Sequence, residues 1–322
     1  MMPFYQILYQ ISILAIITVI GAGVYRLKVL NNDSKTILEK LVFHVTTPLL
    51  ILTNISSLSV NAEILRNGLF VIVFAYLILL IQNTAGKLSA RLLRLPPSQA
   101  VIHQLHTYMG NIVFLGFPVI NAIYPGGEGL LYGAIYQLVS NSVQWTHGII
   151  KLAPENRSGG LAQFKNLVNP NTVALLIAMI LLLFHLKLPA ILMDSLGGIG
   201  STTIYLAMFY IGIQMAQSDF FKVIRRIDAI LLSFNKMLII PLLMAFLGGW
   251  LINRLSLPMS FLAFSVVIIQ SAMPCMTLLV ILAKRYGADD ERAMEYFVVS
   301  TLLSILTLPA VIYLTELVQQ FF

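Results

Sequence analysis

Charge is what this sequence has least of. Asp, Glu, Lys and Arg together make up 10% of its 322 residues, whereas hydrophobic residues make up 58% and mean hydropathy is +0.88. A soluble domain carries about 25% charged residues, so the balance excludes that class and points to an integral membrane protein. Cysteine is nearly absent: Cys275 alone excludes an intramolecular disulfide and any cysteine-based metal cluster. It reads as a small apolar filler beside Pro274. His44, His103, His106, His147 and His185 lack metal-ligand spacing, so neither a metal nor another cofactor is expected. The chain has no Gly-x-x-x-x-Gly-Lys-[Ser/Thr], no His-Glu-x-x-His and no Gly-x-Ser-x-Gly. A nucleotide-driven pump within this chain, or an enzyme, is therefore not expected.

What the sequence does have is long apolar runs. A span needs about 20 apolar residues, and ten runs qualify, near 5–25, 37–57, 65–85, 104–124, 129–150, 170–187, 193–215, 228–252, 258–283 and 294–316. Barrel strands would instead be short and alternating. The first run follows Met-Met-Pro-Phe-Tyr-Gln, without a basic leader or cleavage site, and is read as a span, not a signal peptide. The net charge of +7 is not a nucleic-acid signal, because of where it lies. All basic residues except Arg66, Lys187 and Arg254 fall in or beside the loops that follow odd-numbered spans. Such a bias sets orientation: those loops face the cytoplasm, both termini face outward, and the cell membrane is the expected location.

The longest polar stretch, 151–169, divides the spans into five and five. An odd number per half reverses the second half in the bilayer, which is the plan of an inverted repeat. The expected organisation is a first repeat over 1–150, a cytoplasmic linker over 151–169 and a second repeat over 170–322. Each half places a proline deep in an apolar stretch, Pro118 and Pro274. Proline breaks a helix interior. In a membrane such breaks survive only where protein or a water-filled cavity satisfies the freed backbone. Paired interruptions in corresponding positions mark a transporter's binding site.

Broken helices expose N-termini whose free N–H groups and dipoles attract anions. Asn111 on the fourth span, and Gln270, Ser271 and Thr277 on the ninth, either contact a substrate or satisfy the loosened backbone. On the fifth span Gln137, Asn141 and Gln144 follow an i, i+4, i+7 spacing and share a face, which should turn toward partners or a cavity. Tyr136 lies off that stripe. Lys236 is the deepest basic residue; it is a candidate counter-charge for an anion, with snorkelling to the inner interface as the simpler expectation. His44 is expected to be packed. The spans lack the acidic cluster that a sodium site favours.

The order of these motifs resembles the auxin efflux carrier family. The resemblance rests on Gly110-Asn111-Ile-Val-Phe-Leu-Gly116-Phe-Pro118, Ala272-Met-Pro274, Leu282-Ala-Lys-Arg-Tyr286-Gly287-Ala-Asp289, the tenth-span run Ser300 to Pro309, Asn169-Pro170 and Pro48. It covers about residues 7 to 316. It implies the ten-helix fold of bile-acid sodium symporters, with two inverted five-helix repeats and scaffold and transport domains built from both. Helices four and nine would cross at their broken prolines beside a substrate carboxylate. Asn111, Pro118 and Pro274 would mark the crossover, with Tyr136, Gln137 and Asn141 near the pocket. Gln270 and Cys275 depart from the small residue or Asn often found there. The expected function is a secondary carrier of small organic anions such as malate, malonate or auxin-like acids. It would alternate access by an elevator motion, with a coupled proton or no coupled ion, and form a homodimer through the scaffold. The alternative is a membrane sensor that binds a carboxylate without moving it.

Overall fold

A computed structural model describes residues 4–59, 61–152, 168–217 and 226–322. Most of the expected linker, together with Arg157, Lys165, Lys222 and Arg225, lies outside the described residues. Among those described every element is helical. In chain order they are α1 (Phe4–Arg26), α2 (Asn32–Leu41), α3 (Thr47–Ser56), α4 (Ala62–Leu92), α5 (Pro97–Tyr108), α6 (Phe117–Ile123), α7 (Glu128–Val143) and α8 (Ile149–Leu152). Then come α9 (Pro170–Leu183), α10 (Ala190–Ser201), α11 (Thr203–Ala216), α12 (Ile227–Phe234), α13 (Ile240–Arg254), α14 (Phe261–Ser271), α15 (Thr277–Arg285) and α16 (Asp290–Glu316).

Short polar side chains start several of these helices by accepting from orphan N–H groups of the first turn. Asn31 Oδ1 accepts from Ser34 N at 2.9 Å, Asn61 Oδ1 from Ile64 N at 2.8 Å, and Asp289 Oδ1 from Arg292 N at 2.9 Å. Asn169 caps α9 and Ser260 caps α14 in the same way.

Among the described residues six helical stretches are long and apolar enough to cross a membrane: Ile7–Arg26, Asp33–Ser56, Ala62–Leu92, Ala190–Ala216, Ile227–Arg254 and Asp290–Gln320. The other runs in the sequence take different forms. The fourth and ninth are split in two, the sixth is the short α9, and the fifth runs from α7 through a wide turn into α8. The protein is thus a multi-helix membrane protein whose core forms between helices. Helix α1 packs along α11, where two glycines let the backbones touch: a Cβ at Gly21 would meet Phe209, and one at Gly212 would meet the Thr18 carbonyl. Small residues serve this purpose throughout membrane helix packing.

Three of the prolines within spans follow one local rule, whereas Pro309 lies inside α16 with no π turn. Pro48, Pro118 and Pro241 each sit one residue into a helix that continues from a π turn, over Val42–Thr46, Ile112–Gly116 and Asn235–Ile239. A proline has no N–H, and its ring clashes with the carbonyl four residues back. The residue before each proline donates five residues back instead: Thr47 N to Val42 O, Phe117 N to Ile112 O and Ile240 N to Asn235 O. The helix absorbs the proline by widening, without breaking.

Candidate functional site

Two helices do break, and they break against each other. Helix α5 ends at Tyr108, Met109 is extended, and Asn111 takes φ −78° and ψ 64°. That is an inverse γ-turn, closed by Ile112 N donating to Gly110 O at 2.9 Å. The second break is Ala272–Met276, between α14 and α15. An antiparallel bridge joins Gly110 to Cys275. Asn111 N donates to Pro274 O at 2.8 Å, and Cys275 N donates to Ser300 Oγ at 3.0 Å. Buried backbone groups need partners, and the two breaks supply them mutually.

The expected break at Pro118 is therefore displaced. Pro274 lies within its break, but Pro118 lies beyond the other one, inside a helix that its π turn keeps continuous. The first interruption falls at Gly110 and Asn111, where a partner backbone accepts the freed groups.

Each break leaves a new helix N-terminus, at Ile112 and at Thr277, and neither is capped by a side chain. Both open onto one cavity of about 420 Å³, within the range of small-ligand pockets. Its polar lining includes Asn111, Thr277 and, from α7 and the turn after it, Gln137, Ser140, Asn141 and Gln144, together with Glu39, His44 and Asn169. Phe43, Phe114 and Trp145 supply aromatic walls. Asn111 is only 3% exposed, and its Nδ2 and Gln144 Nε2 are buried without a hydrogen-bond partner among the described residues. An unmade buried hydrogen bond costs about 1–3 kcal/mol. Two positive helix ends and several donors around one cavity suit an anion.

Of the residues singled out in the sequence as site candidates, the structure brings Asn111, Gln137, Asn141, Gln144 and Thr277 together on this cavity and leaves Pro118, Tyr136, Lys236, Gln270, Ser271 and Pro274 off its lining. Tyr136 and Pro118 are buried in packing. Ser271 Oγ donates to Ile268 O at 2.7 Å, within its own helix. Pro274 contributes its carbonyl to Asn111, not its ring to the cavity. The Gln270 amide lies against Gly116 and Gly133, where a Cβ on either would crowd it. Lys236 corrects an expectation: it does not snorkel but is 0% exposed, with Nζ donating to Thr107 O at 3.2 Å. It does not line the cavity either.

Sequence reasoning missed Glu39, Phe43, Phe114, Trp145 and Asn169 on the lining, and treated His44 as packed. His44 is exposed beside the cavity, with Nδ1 3.2 Å from Lys40 O. Tyr210 points its hydroxyl toward Glu39 and Thr277.

The family model described as membrane transport protein matches residues 6–162 and 157–312, which together span nearly the whole chain. A protein of Methanothermobacter thermautotrophicus, named as an uncharacterized transporter, is 25% identical over 303 residues. The match covers 92% of this chain and 95% of that relative.

Proposed function

The chain belongs to the membrane transport protein family that includes the auxin efflux carriers, and from that premise we propose that it is a secondary carrier of small organic anions. The observation that carries this reading is the pair of uncapped helix N-termini, at Ile112 and Thr277, opening onto one cavity with donors on Asn111 and Gln144 that have no partner among the described residues. One end of the substrate, a carboxylate, is held by the N–H groups of the two helix starts and by the Asn111 amide. The remainder lies against Phe43, Phe114 and Trp145. Mono- and dicarboxylates such as malate, malonate or an auxin-like acid fit that description. Gln137 and Asn141 complete the polar wall, whereas Pro118, Pro274, Gln270, Ser271 and Tyr136 hold the frame around it. Lys236 acts from behind the crossover as a fixed counter-charge.

In this reading the chain forms ten spans in two inverted repeats, 1–150 and 170–322, in the cell membrane with both termini outside. The crossover moves as a unit against the scaffold helices and opens alternately to each side. Each charge moved through 100 mV is worth about 2.3 kcal/mol, enough to drive an anion out of a negative interior without a coupled ion. Membership of a transport family favours a carrier over a sensor. The site is tested by equilibrium binding of malate, malonate and indole-3-acetate to the purified protein. Saturable binding of one of them, lost in Asn111→Ala, supports it; undiminished binding in that variant overturns it.

A further inference from the structure

Away from the crossover, a groove of about 340 Å³ runs between the end of α4 and the start of α5. Lys87, Arg91 and Arg94 line one side, and Ala100, Val101 and Gln104 of α5 line the other. It shares no lining residue with the central cavity. Lys87 and Arg91 stand one turn apart on α4 and so share a face. Arg94 follows the helix end, where Arg94 N donates to Arg91 O at 3.0 Å and Leu95 N donates to Ala90 O at 3.1 Å. That paired closure needs a left-handed residue, usually glycine; here Arg94 takes it, at φ 51°, and keeps a third cation on the groove. The opposite wall is tied to α4, since Gln104 Nε2 donates to Asn83 Oδ1 at 2.8 Å. Gly86 lets the two helices meet above the groove, where a Cβ would run into Thr107.

Basic residues at the ends of spans are ordinary, but these three converge on one depression. No carboxylate lines it, and none of the three forms an ion pair among the described residues. Helix α5 begins beside the groove without a side-chain cap, so its dipole adds to the positive potential. Like charges held together without a counter-ion repel one another, and an anion between them relieves that repulsion. On the adjoining face of α4, Leu88 and Leu92 are 59% and 75% exposed. A cationic groove and an apolar strip therefore lie side by side, the arrangement that an amphiphile with an anionic head requires.

We propose that the groove between α4 and α5 binds the phosphate headgroup of an anionic phospholipid, whose acyl chains lie along Leu88 and Leu92. Basic pockets between helices on the cytoplasmic side serve such lipids, and on the orientation proposed above this end of α4 lies in the cytoplasmic leaflet. A soluble phosphate ester would match the charge but leave Leu88 and Leu92 uncovered. The site depends neither on the anion reading of the central cavity nor on the direction of transport. Helix α5 runs from the groove to the first break, at Gly110 and Asn111, so a lipid bound there braces the helix that leads into the crossover.

The experiment uses the full-length protein, stripped of lipid, in a non-ionic detergent. Dioctanoyl phosphatidylglycerol, dioctanoyl phosphatidylcholine and glycerol 3-phosphate are titrated in separately, with thermal unfolding and native mass spectrometry of bound lipid as readouts. Wild type is expected to retain phosphatidylglycerol and to unfold at a higher temperature with it. Phosphatidylcholine should act far more weakly, and glycerol 3-phosphate not at all at the same concentrations. Lys87→Gln, Arg91→Gln and Arg94→Gln each weaken phosphatidylglycerol binding about fivefold, and the three together abolish its effect. The three side chains are exposed, and the single variants carry the comparison even if the triple variant fails to fold. A control variant lacking the exposed cations Arg26, Lys28 and Lys40 binds as wild type does. An equal loss in that control would overturn the proposal, because the lipid would then follow net charge alone. So would undiminished binding in the single and triple variants, or phosphatidylcholine binding as tight as that of phosphatidylglycerol. A glycerol 3-phosphate response equal to that of the lipid, and lost in the same variants, rejects the lipid and assigns the groove a soluble phosphate.

Discussion

Asn111 does two things with one residue. Its backbone forms the centre of the γ-turn that breaks the helix and donates to Pro274 O, while its side-chain Nδ2 sits at the cavity without a partner among the described residues. Replacing the side chain leaves the backbone role intact, so Asn111→Ala should fold. A hydrogen bond to a charged group is worth about 1.5–3 kcal/mol, which predicts roughly ten- to a hundredfold weaker anion binding by calorimetry, with an unchanged unfolding temperature. Thr277→Val removes a hydroxyl from the cavity lining at the other helix start and should weaken binding in the same direction. Gly116→Ala behaves differently. Its Cβ would run into the Gln270 amide, which is itself buried without a partner among the described residues. Overpacking costs about 1–3 kcal/mol, and a lowered unfolding temperature is the expected result. At this scale the stripe of Gln137, Asn141 and Gln144 was legible in the sequence, because α7 is regular helix through Val143 and Gln144 is only the first residue of the π turn that follows. Trp145 and His44 were not, because each lies in a π turn that shifts side-chain direction away from that period.

At the scale of elements, proline marks two different events that the sequence alone does not separate. Pro274 stands in a true break, whereas Pro48, Pro118 and Pro241 stand just after wide turns in helices that continue. The difference lies in what receives the freed backbone. At Asn111 the second interrupted helix does so, and at Cys275 the Ser300 hydroxyl of α16; before Pro48, Pro118 and Pro241 the helix's own carbonyl five residues back does. That is long-range information, absent from any local motif. Pro118→Ala restores an N–H that can bond four residues back and tighten the turn over Ile112–Gly116. The variant should fold at least as stably as wild type yet bind anion more weakly, since tightening rotates the helix start at the cavity. Calorimetry and thermal unfolding together check the pair of outcomes. The contact of α1 with α11 makes a contrasting prediction. Gly212→Leu would drive a side chain into Thr18 and should lower stability by about 1–3 kcal/mol, with little direct effect on the cavity.

For the whole molecule, low charge and long apolar runs made the membrane class legible, and the motif order made the family legible. Span count was harder to read, since an apolar run of adequate length gives no sign of whether it forms one helix or two. Orientation rests on the asymmetry of Lys and Arg. Cys275 is buried, so single cysteines at exposed Arg94 and Lys187 make a clean test. A membrane-impermeant maleimide should label Lys187→Cys in intact cells, and Arg94→Cys only after permeabilisation. The central claim, that the crossover cavity carries small organic anions across the bilayer, is tested most directly by uptake of labelled malate, malonate and indole-3-acetate into proteoliposomes with membrane potential and ion gradients set independently. Saturable uptake of one anion, responding to potential, indifferent to Na⁺ and lost in Asn111→Ala, is the predicted result; binding without uptake under every gradient would contradict it.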